Sequence, residues 1–318
     1  MLHVEPLTDN VKAFEIATAA FEVDAPGFPL DRREAFVARM QNPWPGNTLE
    51  HHAALLDGVT VGYVKIAMSQ LDNLTSVDVE ITVHPAYRRR GAGRALRDFA
   101  VARAREEGRK HLVAPASDGQ PSGAAFATTV GAKAGLAEVR SRLDVAEVTG
   151  EPGPIAAGYR LVQWVNVAPE EFLDDIGYLD GRINEDAPNG DLVREAEKID
   201  AARVRASEKA VRTRGRSAFN TGAVHEGSGR LVAWTMIASP DDAHEQAWQN
   251  ATVVGPEHRG HGLGLTIKQE NLRLARTERP ALRVVDTFNA AENEHMIRIN
   301  RQLGFRRMEA WTQWQLTL

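Results

Sequence analysis

Three different features recur in the same order in the two halves of this chain, and that duplication limits the possible folds more than any single motif does. VDAPGFPL, at Val23–Leu30, returns as EDAPNGDL at Glu185–Leu192, sharing Asp-Ala-Pro and a later Leu. Gly58 followed by the alternating stretch VTVGYVKI is echoed by Gly229 followed by RLVAWTMI. VHPAYRRRGAGRAL, at Val83–Leu96, is matched by VGPEHRGHGLGLTI at Val254–Ile267. One Gly-rich turn would carry little weight, but ordered recurrence of all three implies a duplicated domain. A length of 318 residues suits two domains. The boundary falls in VTGEPGPI, Val148–Ile155, where prolines and glycines interrupt the periodic segments. The expected domains are therefore 1–150 and 151–318.

Composition narrows the chemistry. With 43% hydrophobic and 25% charged residues the chain is of ordinary globular type. The absence of cysteine rules out disulfides, thiolate-held metals and an acyl group carried on the enzyme's own thiol. A formal charge of −5 has the wrong sign for a protein that grips nucleic-acid backbones and suits a cationic partner better. The opening MLHVEPLTDNVKAFE lacks the basic and apolar stretches of an export signal, and no apolar run has the length of a membrane span. A cytoplasmic location, with no membrane and no nucleic-acid partner, is the expectation.

In the first copy of the longest repeat, Val77, Val79, Ile81 and Val83 alternate with polar residues as in a half-buried strand, which Pro85 stops. Leu96, Phe99, Ala100 and Ala104 then follow helical spacing until Gly108. Gly91 and Gly93 allow positive φ at the strand-to-helix turn, so successive N–H groups can face one concavity at the positive end of a helix. Arg88, Arg89, Arg90 and Arg94 add charge around Gly91, Ala92 and Gly93. The second copy offers Arg259, Gly260, His261, Gly262, Leu263 and Gly264. Such a nest suits a phosphoanhydride. Neither a Walker loop nor a G-x-G-x-x-G fingerprint is present, which argues against nucleotide hydrolysis and hydride transfer.

A strand ending in V-x-P followed by R-x-x-G-x-G resembles the acetyl-coenzyme A loop of the GCN5-related N-acetyltransferases (GNAT), and both halves carry it. The resemblance implies an α/β fold of two tandem GNAT domains, each a mixed, mostly antiparallel sheet flanked by helices, packed as a pseudo-dimer within a monomer. It implies acetyl-coenzyme A as cofactor, its pyrophosphate on the loop amides and its pantetheine arm along the motif strand. Ile81 and Val83 would line the arm in the first half, with Val253 or Val254 corresponding in the second. VVDTFNAAENEHMIRINRQLGF, at Val284–Phe305, resembles the family's strand, cofactor-binding Asn and helix ending in Gly-Phe, with Asn293 and Gly304 at those stations.

Acetyl transfer to an amine needs a base, because alkyl ammonium groups of pKa near ~10 are mostly charged at neutral pH. Glu80 occupies the place where related enzymes often carry such a carboxylate; a solvent-facing or arginine-paired glutamate is the alternative reading. The matching position in the second half is Ala251, which accepts no proton. The tyrosine with which many relatives protonate the departing thiolate is replaced by Asn300 in the second half and Ala127 in the first. Water can protonate that thiolate instead, and a backbone N–H of the motif strand would hold the oxyanion.

Asp24 and Asp186, in the repeated Asp-Ala-Pro elements, are candidates for binding a cationic amine, with Glu22, Glu185 and Asp191 nearby. Helix capping by Asp with a Pro-fixed turn explains the same residues more simply. His258 and His261 flank the second loop without a third ligand, so no metal is expected and His261 is read as a phosphate-side donor. Trp311 and Trp314 belong to a last strand and its core. The expected activity is acetyl transfer from acetyl-coenzyme A to a primary amine of a small molecule within a ternary complex. A coenzyme A-binding sensor whose catalytic groups have decayed, or a transferase of longer acyl chains, are the alternatives.

Overall fold

The computed structural model describes residues 1–148 and 152–318. The boundary expected near residue 150 lies outside the described residues. Both halves run through the same succession of elements. The first comprises β1 (Leu2–Pro6), α1 (Asn10–Asp24), α2 (Arg33–Gln41), β2 (Asn47–Leu56), β3 (Val59–Ser69), β4 (Ser76–Val83), α3 (Ala92–Glu106), β5 (His111–Ser117), α4 (Pro121–Thr129) and β6 (Lys133–Asp144). The second repeats them as β7 (Tyr159–Val165), α5 (Leu173–Asp186), α6 (Ala201–Thr213), β8 (Arg216–His225), β9 (Leu231–Pro240), β10 (Gln246–Val254), α7 (Leu263–Glu278), β11 (Val284–Ala290), α8 (Glu294–Leu303) and β12 (Arg306–Thr317).

Two compact units result, and their membership is not that of two consecutive segments. The N-terminal unit holds Met1–Glu138, Asn189–Glu195 and Glu309–Leu318, and the C-terminal unit holds Val139–Pro188 and Ala196–Met308. In the N-terminal unit the strand order is β1-β2-β3-β4-β5-β12, antiparallel except for β4 beside β5. In the C-terminal unit β7-β8-β9-β10 are antiparallel and β11 lies parallel to β10. Each unit is thus a mixed, mostly antiparallel sheet flanked by helices. Among the described residues no helix is long and apolar enough to cross a membrane.

Side-chain alternation assigns each sheet face to a helix set. In the N-terminal unit Val64, Ile66, Val77 and Val79 turn to α3, whose Leu96, Ala100 and Ala104 are fully buried against them. The opposite face, marked by Tyr63, is covered by Ala13, Ile16 and Ala17 of α1 and by Phe36 and Met40 of α2. In the C-terminal unit Trp234 and Val253 pack with Ile176 and Leu179 of α5, while Leu263 and Ile267 of α7 pack on Val232 and Ala233. These two-sided layers fix where each strand-to-helix turn emerges.

Candidate functional site

In both units the motif strand parts from its parallel neighbour halfway along. β4 pairs with β5 only from Ser76 to Asp78, and β10 with β11 only from Gln246 to Trp248. Past those points the strand edge leading to the loop is free of the ladder, and in the N-terminal unit β5 continues alongside β12. A wedge opens there, with the glycine loop at its mouth.

The two loops share one backbone course. The first motif arginine is extended in each, at φ −63° for Arg88 and −72° for Arg259. The next residue is left-handed, Arg89 at φ 64° and Gly260 at φ 82°. The residue preceding the helix is left-handed again, Gly91 at φ 91° and Gly262 at φ 73°. L side chains resist that conformation, which accounts for glycine; Arg89 adopts it at a cost of about 1–2 kcal/mol. With glycine as N-cap neither α3 nor α7 has a side-chain cap, so the first helical amides remain available to an anion at the positive dipole end. At Gly260 and Gly262 an added Cβ would meet nothing within 4 Å, so this backbone faces open space. Ala92 and Leu263 bury their side chains and can present only backbone to a ligand. Val253 is likewise buried, and Ile81, Val83 and Val254 pack partly against α3 or α7. Gly93 and Gly264 sit against Phe126 of α4 and Ile299 of α8.

Charge around the nests differs. Arg89, Arg90 and Arg94 are exposed at the rim of the first, Arg90 lying over the Tyr87 ring. The second has histidines. His258 bonds Tyr159 Oη through Nδ1 at 3.0 Å, and burial together with His225 lowers its pKa. His261 stands exposed, its Nδ1 near the carbonyls of His258 and Arg259. Among the described residues no group of three or more His, Asp or Glu could hold a metal ion.

Two of the repeated sequence features meet in space. Arg88 donates to both carboxylate oxygens of Asp24 at 2.8 and 2.6 Å, and its Nε donates to Val83 O at 3.2 Å. Arg259 donates to Asp186 at 2.5 Å and through Nε to Val254 O at 3.2 Å. Asp24 and Asp186 are the last residues of α1 and α5, so neither caps a helix N-terminus. Each holds the first arginine of its loop and thereby fastens the loop to the preceding helix pair. Asn293 also has a local task, because its side chain accepts from Met296 N and caps α8.

Glu80 projects to the α1/α2 face, in one row with Lys65 of β3 and His51 of β2. Lys65 Nζ donates to Glu80 Oε1 at 2.5 Å, although 43% of the Glu80 side chain remains exposed. Burial pushes the carboxyl up, but Lys65 and Arg39 outweigh it and hold the pKa below the usual carboxylate value. His51 is lowered to about 4, by burial first and then by Lys65, so it is neutral at pH 7. Glu80 is therefore an ionised, already partnered carboxylate.

The corresponding row of the C-terminal unit is built differently. Between Gln249 and Thr252 the β10 strand bulges, so that Asn250 and Ala251 together stand opposite Met236 where Glu80 alone stands opposite Lys65. Both members of the ion pair are absent from this unit. The bulge is filled by Gln249, whose Nε2 donates to Thr235 Oγ1, Met236 O and Ala251 O at 2.9 to 3.0 Å. Thr235 and Thr252 share a hydrogen bond of 2.9 Å, and Lys268 Nζ, only 2% exposed on α7, lies 3.5 Å from Thr252 Oγ1 and 5.6 Å from the Phe305 ring centre. Burial pulls Lys268 down to about 7. On α8, Asn300 donates to Asn289 Oδ1 of β11 at 2.7 Å while its own Oδ1 is buried without a partner. At the divergence Arg140 and Arg142 converge on Asp286 of β11, where both Arg140 and Asp286 are fully buried. The sequence reading missed this layer. The signal lay in α7, where Lys268 and Asn271 fall on the stripe of Leu263, Ile267, Leu272 and Ala275.

Comparison with known proteins places these features in a family. The model of the acetyltransferase (GNAT) family matches residues 13–131. A tandem GNAT protein from the clavulanic acid biosynthesis pathway is 30% identical, with a TM-score of 0.86, and the alignment covers 100% of this chain and 98% of that one. A GCN5-related N-acetyltransferase from Sphaerobacter thermophilus is 16% identical, with a TM-score of 0.71 over 99% of this chain and 95% of that one. An acetyltransferase from Pyrococcus horikoshii shares the fold at 15% identity and a TM-score of 0.57, over 100% of this chain and 89% of that one. No curated protein matches the sequence.

Proposed function

The chain belongs to the GCN5-related N-acetyltransferase family and is an acyltransferase, and from that premise we propose that it moves an acetyl group from acetyl-coenzyme A to a primary amine of a small molecule by direct attack in a ternary complex. The observation that carries this reading is the matched pair of nests, each a left-handed turn at an uncapped helix start beside a strand released from its neighbour. The residues present fit the ligand. Open space at Gly260 and Gly262 receives a diphosphate, and the unpartnered Asn300 Oδ1 of α8 suits an amide N–H of the pantetheine arm.

When bound, acetyl-coenzyme A supplies the activated thioester. This chain's residues then divide the remaining work. The loop amides hold the phosphates, with Arg89, Arg90 and Arg94 adding charge in the N-terminal unit and His261 a donor in the C-terminal one. The edges of β4 and β10 orient the arm through Ile81 and Val83, or through Val253 and Val254. The β10 bulge releases an amide of the motif strand from the ladder, a donor for the carbonyl oxygen that gains charge during transfer. In the N-terminal unit Glu80, ionised throughout the neutral range, is the carboxylate that takes the amine's proton, directly or through water, as Lys65 releases it.

Calorimetric titration with acetyl-coenzyme A, followed by thiol release over a panel of primary amines, tests the reading. Binding to both nests and turnover with at least one amine is the expected result. Absence of binding would overturn it, and tight binding without turnover over the whole panel would leave a coenzyme A sensor.

A further inference from the structure

Glu80 and Lys65 form their ion pair on the sheet face that α1 and α2 cover, where charge is costly and two apolar side chains would serve packing as well. The pair stands on the free part of β4. Asp78 is the last residue of that strand laddered to β5, and Glu80 follows two positions on. It is also within reach from outside, since 43% of the Glu80 side chain and 25% of the Lys65 side chain remain exposed. Burial is nonetheless the largest single influence on the Glu80 carboxyl. Deep surroundings with an open approach describe the floor of a recess rather than a surface bridge.

Arg39 of α2 pairs with Asp31 at 3.2 Å, and its charge also acts on Glu80. His51 of β2, next in the row, is neutral at pH 7, and its Nε2 is buried without a partner. Tyr63 of β3 keeps its proton, because burial pushes it up to about 12. Lys65 and Arg39 thus face Glu80 and Asp31, and the cluster is neutral as it stands. An ammonium that reaches Glu80 must take the place of Lys65. With a plain amine, the displaced Lys65 is left beside the newcomer as surplus positive charge in poorly solvated surroundings. An acceptor with its own carboxylate restores the balance: its ammonium meets Glu80 and its carboxylate meets Lys65, so one internal ion pair gives way to two with the ligand. The carboxylates that would have drawn a polycation are committed elsewhere, Asp24 to Arg88 and, in the other unit, Asp186 to Arg259. Lys65 and Glu80 are also absent together from the C-terminal unit, where Met236 faces the bulge at Asn250 and Ala251.

We propose that the acceptor of the N-terminal unit is a small amino acid, a molecule bearing both a primary amine and a carboxylate, and that Lys65 is the residue that selects the acid; the inference rests on the acyl-transfer reading above. Glu80 takes one proton from the bound ammonium and passes it to water. As the nitrogen bonds to the acyl carbon and the C–S bond breaks, the second proton goes to the departing sulfur. The N-acylated product keeps its carboxylate but has no ammonium for Glu80, so Lys65 closes on Glu80 again and lets the product go.

A panel of amino acids matched with their amides, given with acetyl-coenzyme A to the whole chain and read as thiol release, tests this. An amide has the less basic amine, so intrinsic reactivity at neutral pH favours it over the acid. The enzyme should reverse that order, with kcat/KM for at least one acid about 10-fold or more above its amide. Lys65→Met should lower kcat/KM for that acid about 10²-fold and raise it for the amide, while calorimetric binding of acetyl-coenzyme A shows the fold intact. Lys65→Gln should give the same inversion if the methionine variant does not fold, and Lys65→Arg, which keeps the charge, should keep the order. On the coenzyme A complex, in which no transfer occurs, calorimetry should show the acid binding more tightly than its amide and the difference vanishing in Lys65→Met. Amides or plain amines used as well as the acids would overturn the proposal. So would a preference for acids that survives Lys65→Met. No thiol release with any amine, acid or amide sinks the underlying reading instead, and the inference with it.

Discussion

Beneath α3 the sheet is apolar, and beneath α7 a hydrogen-bonded patch adjoins the apolar packing. Val79 faces Ile66 and Ile81 faces Val64 across the first pair of central strands, whereas Gln249 faces Ile237 and Thr252 faces Thr235 across the second. Ala100 and Asn271 are fully buried in α3 and α7. Asn271 Nδ2 donates to Phe219 O at 3.0 Å, and Thr221 Oγ1 donates to Asn271 Oδ1 at 3.1 Å. The loops above remain alike in φ while part of the layer below has exchanged apolar contacts for hydrogen bonds. Loop geometry in the two units is thus a property of backbone and glycine, and it tolerates different chemistries underneath. The apolar layer needs only volume and shape. The polar layer is stable only while each buried group has its partner, and it brings titratable chemistry to the motif strand.

Substitutions in either unit, two of them copied from the other, test that contrast. The largest effect should come from Asp286→Val, which installs the residue found at the equivalent N-terminal station, Val113. Arg140 and Arg142 would then lose the buried carboxylate on which they converge, at about 3–5 kcal/mol of stability in the C-terminal unit, read as a lower denaturant midpoint. Glu80→Gln should lower kcat for the N-terminal unit about 10²-fold, or about 2.7 kcal/mol in barrier, while acetyl-coenzyme A binds as before. Because the Glu80 pKa is held low, the activity it supports should be flat through neutral pH and be lost only in acid; unchanged turnover in the variant removes Glu80 from the mechanism. Thr235→Val imitates Val64 and removes one acceptor of the Gln249 amide, which keeps Met236 O and Ala251 O, together with the partner of the Thr252 hydroxyl, for about 0.5–1.5 kcal/mol by thermal unfolding; no loss would mean that the two carbonyls alone hold the bulge. Arg259→Ala should matter least, under about 1 kcal/mol, since its guanidinium is half exposed, although the loop should become easier to cleave by protease. A C-terminal unit indifferent to both Asp286→Val and Thr235→Val would dissolve that contrast.

Much of the architecture could be read from the residues because duplication made each signal appear twice. The strand-turn-helix at Val83–Leu96 and its echo at Val254–Ile267 announce themselves through alternation, Pro and Gly, which are local properties of the chain. The pairing of Asp24 with Arg88 was hidden because the partners are 64 residues apart and each had a plausible local role. The bulge at Asn250 and Ala251 was hidden for another reason. An extra residue in one strand shows only in its register against a neighbour, so Ala251 was matched to Glu80 as if the strands were regular. Lys268 sat in plain view on a helical stripe, but a long amphipathic side chain on an apolar face normally reaches water, and only the packing shows that this one does not.

The allocation of strands to units also sets an order of events in the cell. β5 takes Trp311–Thr317 of β12 as its antiparallel neighbour, and those residues are synthesised long after β5 itself. The N-terminal unit consequently closes its sheet only after the residues of the C-terminal unit have been made. Until Trp311–Thr317 emerge, that edge of β5 is unpaired, the kind of edge that recruits foreign strands.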